Sequence, residues 1–136
     1  MLITRECDYA VRVVRALAPG KRISVGEICE KESITAPFAY KILKKLQKAE
    51  IVRGFRGVHG GYSLRRPAEE LTLYDIYTAI DPEFLIIDCL EPEYKCPRNS
   101  QDELCTVHCE LCKIQKELCR LLGEKTLKEI FKAGTE

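Results

Sequence analysis

The chain has 136 residues, of which 46% are hydrophobic and 32% charged, with a formal net charge of +1. A chain of this size can bury one modest core, or one small domain with an extension that pairs with a second copy. Its first residues alternate charged and apolar groups, so we expect no secretory signal and a cytoplasmic location. No apolar run approaches the roughly 20 residues of a membrane span, and we expect no membrane contact.

The charges are divided unevenly along the chain. Residues 41–66 carry eight lysines or arginines against one glutamate, whereas residues 67–136 carry eight basic and fifteen acidic groups. This division into a basic block and an acidic tail indicates one half that binds a polyanion and another half with a different role. Taken alone, however, a basic segment is more often a solvated helix face.

Two helices are predicted at the start of the chain. The first runs from about residue 4 to residue 18, with apolar side chains at helical spacing, and ends before Pro19-Gly20. Ser24 and Glu27 have the spacing of a capping box, which predicts a short second helix that ends near Lys31.

A third, basic helix follows after a short turn. Thr35 is predicted to cap it, and its first turn accommodates Pro37. One face carries Ile42, Leu43, Leu46 and Ala49, and the opposite face carries Tyr40, Lys41, Lys44, Lys45 and Lys48. A short helix, a turn and a basic amphipathic helix are the order of a helix-turn-helix unit.

A β-hairpin is predicted after the third helix. Residues 51–53 and 62–65 are short extended runs, and the turn between them carries Arg56 and the pair Gly60-Gly61. Such a hairpin would form the wing of a winged helix-turn-helix domain. Arg56 at its tip is long and cationic enough to enter a minor groove of DNA. The predicted fold class is therefore mainly α with a small β wing and a long dimerisation helix.

Six of the eight cysteines lie within 31 residues, with His108 among them. In a reducing cytosol thiols stay free, and thiolates gathered by a fold are good ligands for zinc or iron. The crowding therefore indicates a metal or iron-sulfur centre. The spacing of Cys105, Cys109 and Cys112 also occurs in radical enzymes, but those need a barrel of roughly 200 residues or more. We therefore expect that this protein is not an enzyme.

A helix over residues 105–122 would separate cysteines from leucines. One face would carry Cys105, His108, Cys109, Cys112 and Cys119, and the other Val107, Leu111, Ile114, Leu118 and Leu121. The apolar face has the character of a dimer seam or a core stripe. Cys112 and Cys119 are expected to pack as small hydrophobic side chains.

Several segments resemble the Rrf2 family, which includes the IscR, NsrR and CymR types. They are DYAVRVV, ITAPFAYKILKKLQKAEIVRGFRGVHGGYSL, TLYDIYTAID and TLKEIF, with the cysteine loop before the last. The resemblance implies a homodimeric winged-helix transcription factor that binds a double-stranded DNA operator. We expect a DNA-binding domain over residues 1–82, a cluster-binding loop over residues 83–104, and a dimerisation helix with a C-terminal helix over residues 105–136.

The resemblance also implies which residues contact DNA. It assigns recognition-helix contacts to Thr35, Pro37, Phe38, Tyr40 and Lys41, and the minor-groove arginine to Arg56. Lys44 is added because it lies on the presumed groove-facing side of the same helix. The alternative for Phe38 is packing against the second helix. Tyr40, where some relatives have an acidic side chain, is the stronger candidate for a base contact.

For the cysteine loop, the resemblance implies an iron-sulfur cluster, with a 2Fe-2S form favoured over 4Fe-4S. The ligands would be Cys89, Cys96, Cys105 and His108, in a loop longer than that of IscR-like members. Cys109 is an alternative to His108, and Asp8 matches a position from which NsrR-like members supply a partner-subunit carboxylate. Two other functions remain open: a cluster-free regulator that acts through a partner protein, and a structural zinc-binding adaptor.

Overall fold

A computed structural model describes residues 2–132. Residues 133–136, which end the predicted segment of residues 105–136, lie outside the described residues. The order of the main elements in this part of the chain is α1 (Arg5–Leu17), α2 (Val25–Glu32), α3 (Ala36–Lys48), β1 (Val52–Phe55), β2 (Gly61–Leu64), α4 (Leu73–Ile80), α5 (Thr106–Leu122) and α6 (Leu127–Lys132). Two short 3-10 turns lie at Ala68–Glu70 and Asp88–Leu90.

The core lies where α1, α3 and α4 pack against one another. The predicted inward face of α1 is buried at Cys7, Ala10, Val14 and Leu17, and α3 buries Ile42, Leu43 and Leu46. Ala49 was predicted on that apolar face but is exposed, because α3 ends at Lys48 and Ala49 is its C-cap. Packing in this core fixes the orientation of α3 relative to α1 and α4.

The caps of α2 and α3 differ. Ser24 accepts a hydrogen bond from the Glu27 backbone N–H at 3.2 Å, which confirms the predicted cap of α2. Thr35 precedes α3 as predicted but makes no capping hydrogen bond. Pro37 removes one of the two N–H groups that an N-cap oxygen normally bonds, the second of the helix. The third, on Phe38, is present but is not bonded by the Thr35 side chain.

The hairpin is an antiparallel pair in which Val52 lies opposite Leu64 and Phe55 lies opposite Gly61. Its second strand is joined to the segment before α2, because Ile23 and Tyr62 exchange backbone hydrogen bonds of 3.0 and 2.8 Å. A side chain at Gly61 would meet the Ile23 carbonyl oxygen at 2.5 Å. Glycine is therefore required for this close approach of two backbones.

The chain returns to the core at its last described helix. Leu127 of α6 is fully buried, and its backbone N–H donates to the Leu71 carbonyl at 2.7 Å. The ammonium of Lys128 lies 2.7 Å from the Glu69 carboxylate. No local pattern in the sequence around α6 predicted this packing, because the residues in contact are more than fifty positions apart in the chain.

The two sides of α5 have different surroundings. Leu118 and Leu122 pack against the core, whereas Val107, Ile114 and Leu121 are 64%, 48% and 52% exposed. The predicted apolar stripe is thus divided between core packing and open surface. Among the described residues, no helix is long and apolar enough to cross a membrane.

Candidate DNA-binding face and cysteine centre

The exposed side of α3 carries most of the side chains predicted to contact DNA. Thr35, Pro37, Lys41 and Lys44 are exposed, and Tyr40 is 55% exposed. Tyr40 also borders a groove of about 450 Å³ whose other wall is the wing. Of the predicted DNA contacts, Tyr40 lines this groove, and Arg56 of the wing does not.

Phe38 has a partner that neither sequence-based alternative named. Its ring lies 5.4 Å from the Tyr9 ring in an edge-to-face arrangement, so it packs on α1. Phe38 nevertheless remains 40% exposed. The ring is therefore both held against α1 and accessible at the surface.

Two lysines of α3 are paired with an acidic side chain of α1. The Glu6 carboxylate lies 2.5 Å from the ammonium of Lys41 and 2.6 Å from that of Lys45. Hydrogen bonds from Lys41 and then Lys45 lower the pKa of Glu6. Lys44 makes no ion pair within residues 2–132. Lys44 is therefore better placed than Lys41 to meet a phosphate without first losing a partner.

The wing is supported by an arginine that sequence reasoning missed. The Arg22 guanidinium lies 3.5 Å from the centre of the Phe55 ring, and it donates a hydrogen bond of 3.1 Å to the His59 carbonyl. Arg56 is exposed in the turn between the strands. Arg22 thus contacts the first strand of the hairpin and its turn, and no local pattern in the sequence marks it for this position.

The cysteines predicted to bind a cluster come from three separate places. Cys89 lies in the second 3-10 turn, Cys96 lies in the following loop, and Cys105 is the N-cap of α5. Burial raises the pKa of the Cys89 thiol, and the sulfurs of Cys96, Cys105 and Cys112 raise it further. The three loop cysteines therefore belong to a turn, a loop and a helix N-terminus, and not to one secondary-structure element.

His108 faces Cys112 on the next turn of α5. The two are joined by a contact of 3.4 Å between His108 Nε2 and Cys112 Sγ, so Cys112 does more than pack as a small hydrophobic side chain. His108 Nδ1 is buried without a hydrogen-bond partner in the described part of the chain. Cys119 likewise has a polar contact, since its sulfur accepts a hydrogen bond of 3.3 Å from Gln115.

The other two candidates for the fourth ligand lie elsewhere. Cys109 is exposed, and Asp8 pairs with Arg12 at 3.2 Å. In residues 2–132, no three histidine, cysteine, aspartate or glutamate side chains are arranged so that they hold a metal ion as they stand. Ligation would therefore require the segment between residues 88 and 105 to close on α5.

Gln115 connects that segment to the core. Its side-chain amide donates to the Phe84 carbonyl and accepts from the Ile86 N–H, both at 2.8 Å. Phe84 is buried against Tyr77 of α4, and its backbone has a φ of +26°. A positive φ is strained for a residue with a bulky side chain, so these contacts hold Phe84 in an unusual conformation.

A family model described as "Rrf2: Iron-dependent Transcriptional regulator" matches residues 3–133. Protein aau3 of Rhizobium meliloti is 36% identical over 100 residues, which are 71% of this chain and 65% of that protein. IscR of Cereibacter sphaeroides is 34% identical over 86 residues, or 60% of this chain and 56% of that one. The chain thus spans just under two thirds of the first of these relatives.

Solved structures of similar fold are known. T. potens IscR has a TM-score of 0.74 at 23% identity, covering 97% of this chain and 87% of that one. CymR, described as the global cysteine regulator of B. subtilis, has a TM-score of 0.73 at 20% identity, covering 96% of both chains. At these identities the likeness shows the fold alone, which is the predicted winged helix-turn-helix.

The fold and the family match together define the protein class. It is a DNA-binding transcriptional regulator with a winged helix-turn-helix, and not an enzyme. The chain belongs to the Rrf2 family, as its sequence motifs predicted.

Proposed function

We propose that this protein is a homodimeric regulator whose affinity for a DNA operator is controlled by an iron-sulfur cluster. The cluster would be bound by Cys89, Cys96, Cys105 and a donor from α5. The observation that carries the proposal is the crowding of six free cysteines within residues 89–119, beside His108 Nδ1, which is buried and has no hydrogen-bond partner within the described residues. In the Rrf2 family, as its description states, transcriptional regulation depends on iron.

The DNA contacts are proposed from exposure and charge. Thr35, Pro37, Phe38, Tyr40, Lys41 and Lys44 of the α3 segment would lie in the major groove, and Arg56 would enter the adjacent minor groove. Lys44 and Arg56 make no ion pair within residues 2–132. Their charges are therefore available to phosphates at no cost in internal contacts.

Dimerisation is proposed through the open side of α5. Val107, Ile114 and Leu121 are large, apolar and about half exposed or more, and they recur along one side of the helix. Exposed apolar surface of this kind indicates an association surface. A second copy of α5 would cover it, and the two recognition helices would then be spaced for half-sites about one helical turn apart.

The donor set suits an iron-sulfur cluster. When bound, such a cluster supplies a group that responds to redox state and to nitric oxide or iron supply. Cysteine thiolates supply the negative charge that balances iron. His108 Nδ1, which has no hydrogen-bond partner within the described residues, adds a nitrogen donor.

Control would pass from the loop to the recognition helices through α5. Residues 88–105 join the 3-10 turn to the N-terminus of α5, where the Asn99 side chain accepts a hydrogen bond of 2.9 Å from the Cys105 N–H. Gln115 then ties α5 to Phe84 and so to α4. Reordering of the loop would move α5 against the core and change the spacing of the two α3 helices.

A second candidate is a regulator of the same fold without a cluster, which acts through a partner protein. It is favoured by one observation: no metal-holding group is preformed in residues 2–132. A zinc-binding adaptor differs from both in spectrum, because zinc has a filled d shell and no visible absorbance.

The test begins with anaerobic purification and cluster reconstitution, followed by iron, sulfide and absorbance measurements. Iron and sulfide bound in a fixed ratio, with loss in Cys89→Ser, Cys96→Ser and Cys105→Ser, would support the proposal. A protein that is colourless after reconstitution would support the cluster-free regulator. Operator binding by Lys44→Ala and Arg56→Ala, measured over a salt series, tests the DNA face. Unchanged isotherms in both variants would contradict it.

A further inference from the structure

The outer surface of α3 is apolar at its N-terminal end. Ala36, Pro37, Phe38 and Tyr40 are exposed there, and the helix has no charged side chain before Lys41. In a helix-turn-helix unit, the N-terminal residues of the second helix contact the edges of the bases. The α3 side chains that would meet the bases first are therefore apolar or aromatic.

The side chains that most often recognise bases through paired hydrogen bonds are missing from this end of α3. Arginine or lysine bonds guanine in this way, and asparagine or glutamine bonds adenine. The helix Ala36–Lys48 contains no arginine or asparagine, and its one glutamine, Gln47, lies in the last turn. Its first lysine, Lys41, is ion-paired with α1. The Thr35 and Tyr40 hydroxyls are the side-chain hydrogen-bonding groups that remain before Lys41.

Two aromatic rings lie at the apolar end of α3, on different flanks of the helix. Phe38 and Tyr40 are two positions apart, which separates them by about 200° around the helix axis. The Phe38 ring lies beside α1, 5.4 Å from the ring of Tyr9. Tyr40 lies on the other flank, where it lines the groove that the wing borders. Both rings are accessible to a molecule that approaches this end of the helix, since Phe38 is 40% and Tyr40 55% exposed.

The cationic side chains of α3 indicate which molecule covers this apolar end. Pro37, Lys41, Lys44 and Lys48 are exposed at helical spacing, so the apolar end continues into a stripe of lysines on one side of the helix. The lysines fit phosphates, and the protein belongs to a class that binds DNA. In the major groove, the apolar group on the base edges is the C5-methyl group of thymine. Aromatic rings beside lysines therefore match a groove in which thymine methyl groups lie between two rows of phosphates.

We propose that Phe38 and Tyr40 contact the C5-methyl groups of thymines in each half-site of the operator, and that these apolar contacts set the base preference of α3. The inference rests on the proposed DNA contacts and names the chemical group that they recognise. Phenylalanine is among the side chains that make apolar contacts with this methyl group. Covering the methyl group with a ring removes apolar surface of both from water. Uracil, which differs from thymine by this methyl group alone, cannot make the contact.

The probe for the experiment is a duplex that the protein itself selects. The full chain, both without iron and after anaerobic reconstitution with iron and sulfide, selects from a library with a random core of about two helical turns, enough for two half-sites. The selected duplex is then synthesised with uracil in place of one thymine at a time. At each position that responds, cytosine and 5-methylcytosine are also compared, because they differ by the same methyl group on another base. Fluorescence anisotropy at one salt concentration gives the affinities.

Loss of a contacted methyl group should weaken binding roughly fourfold, the value expected for the burial of one such group. Likewise, 5-methylcytosine should bind more tightly than cytosine by the same factor. In Phe38→Ala and in Tyr40→Ala, the difference between thymine and uracil should disappear at the position that the removed ring contacted. Tyr40→Phe keeps the ring and should keep the difference.

Two further variants serve as controls. Tyr74→Ala removes an aromatic side chain of α4 that is 39% exposed, nearly as much as Phe38, and should leave the affinity for every duplex unchanged. Lys44→Ala removes a proposed phosphate contact and should weaken the thymine and uracil duplexes by the same factor.

The outcomes that overturn the proposal differ in what else they remove. If every uracil duplex binds as tightly as the thymine duplex, or if the difference persists in both Phe38→Ala and Tyr40→Ala, these rings do not recognise thymine, and the proposed DNA-binding face stands. If neither form of the protein enriches any duplex, the proposed face fails as well. The comparison of thymine with uracil needs no substitution in the protein, so a Phe38→Ala chain that misfolds does not prevent the test.

Discussion

Replacing Glu6 by glutamine should strengthen DNA binding while it weakens the fold. The Glu6 carboxylate, whose side chain is 24% exposed, holds the ammonium groups of Lys41 and Lys45 at 2.5 and 2.6 Å. Both lysines belong to α3, the proposed recognition helix. On the proposed mode of DNA binding, phosphates would therefore compete with Glu6 for two cations of the basic face of α3.

The cost to the fold is small and depends on pH. Partly exposed ion pairs contribute about 0.2 to 1 kcal/mol each, so Glu6→Gln should lower the free energy of unfolding by about 1 kcal/mol at neutral pH. The pKa of Glu6 is lowered by the two lysines. The stabilisation is therefore present above the pKa of an unfolded glutamate and is lost as pH falls through the lower folded value. The variant should lack this acid-side loss.

The gain in binding follows from counterion release. Each additional phosphate contact steepens the plot of log K against log salt by about 0.9, so the two released lysines should steepen it by up to about 1.8 per protomer. At 0.1 M salt, one such contact is worth roughly an eightfold gain relative to 1 M. The cost to the fold does not offset this gain in affinity, because it acts equally on the free and the bound protein.

The assay is fluorescence anisotropy with a labelled duplex over a salt series, together with urea unfolding. Glu69→Gln is the matched control, because it makes the same change in charge and removes an ion pair with Lys128 on α6. The control should leave the salt slope unchanged. If Glu6→Gln weakens binding with an unchanged slope, Lys41 and Lys45 do not contact phosphate, and Glu6 instead orients α3.

Three further predictions concern the wing, the dimer and the docking of α6. Arg22→Ala removes the cation over the Phe55 ring, an interaction worth about 0.5 to 2 kcal/mol. The variant should bind the operator about three- to tenfold more weakly and keep the far-UV circular dichroism spectrum of the unsubstituted protein. Full operator affinity would show that the wing does not need the Arg22 contact. Ile114→Asp and Leu121→Asp should each give monomers in sedimentation experiments, and dimers at micromolar concentration would contradict a seam on α5. Leu127→Ala should lower the free energy of unfolding by about 2 to 5 kcal/mol, and a loss below about 1 kcal/mol would mean that α6 is not part of the core.

Much of the local structure was predictable because it depends on near neighbours. Apolar spacing located α1 and α3 to within a residue or two, and Ser24 marked the start of α2. The wing followed from two extended runs around a glycine-rich turn. Thr35 is an exception, since it precedes α3 without making the capping hydrogen bond that its position predicts.

The sequence by itself determined the order of the elements, the basic face of α3 and the crowding of cysteines after α4. Tertiary structure alone decided which distant residues meet. Glu6 meets Lys41, and Arg22 meets the wing. These contacts join residues 35 and 37 positions apart, beyond the range over which helical or strand periodicity carries information. They depend on how the helices pack, and packing is decided by the whole core at once.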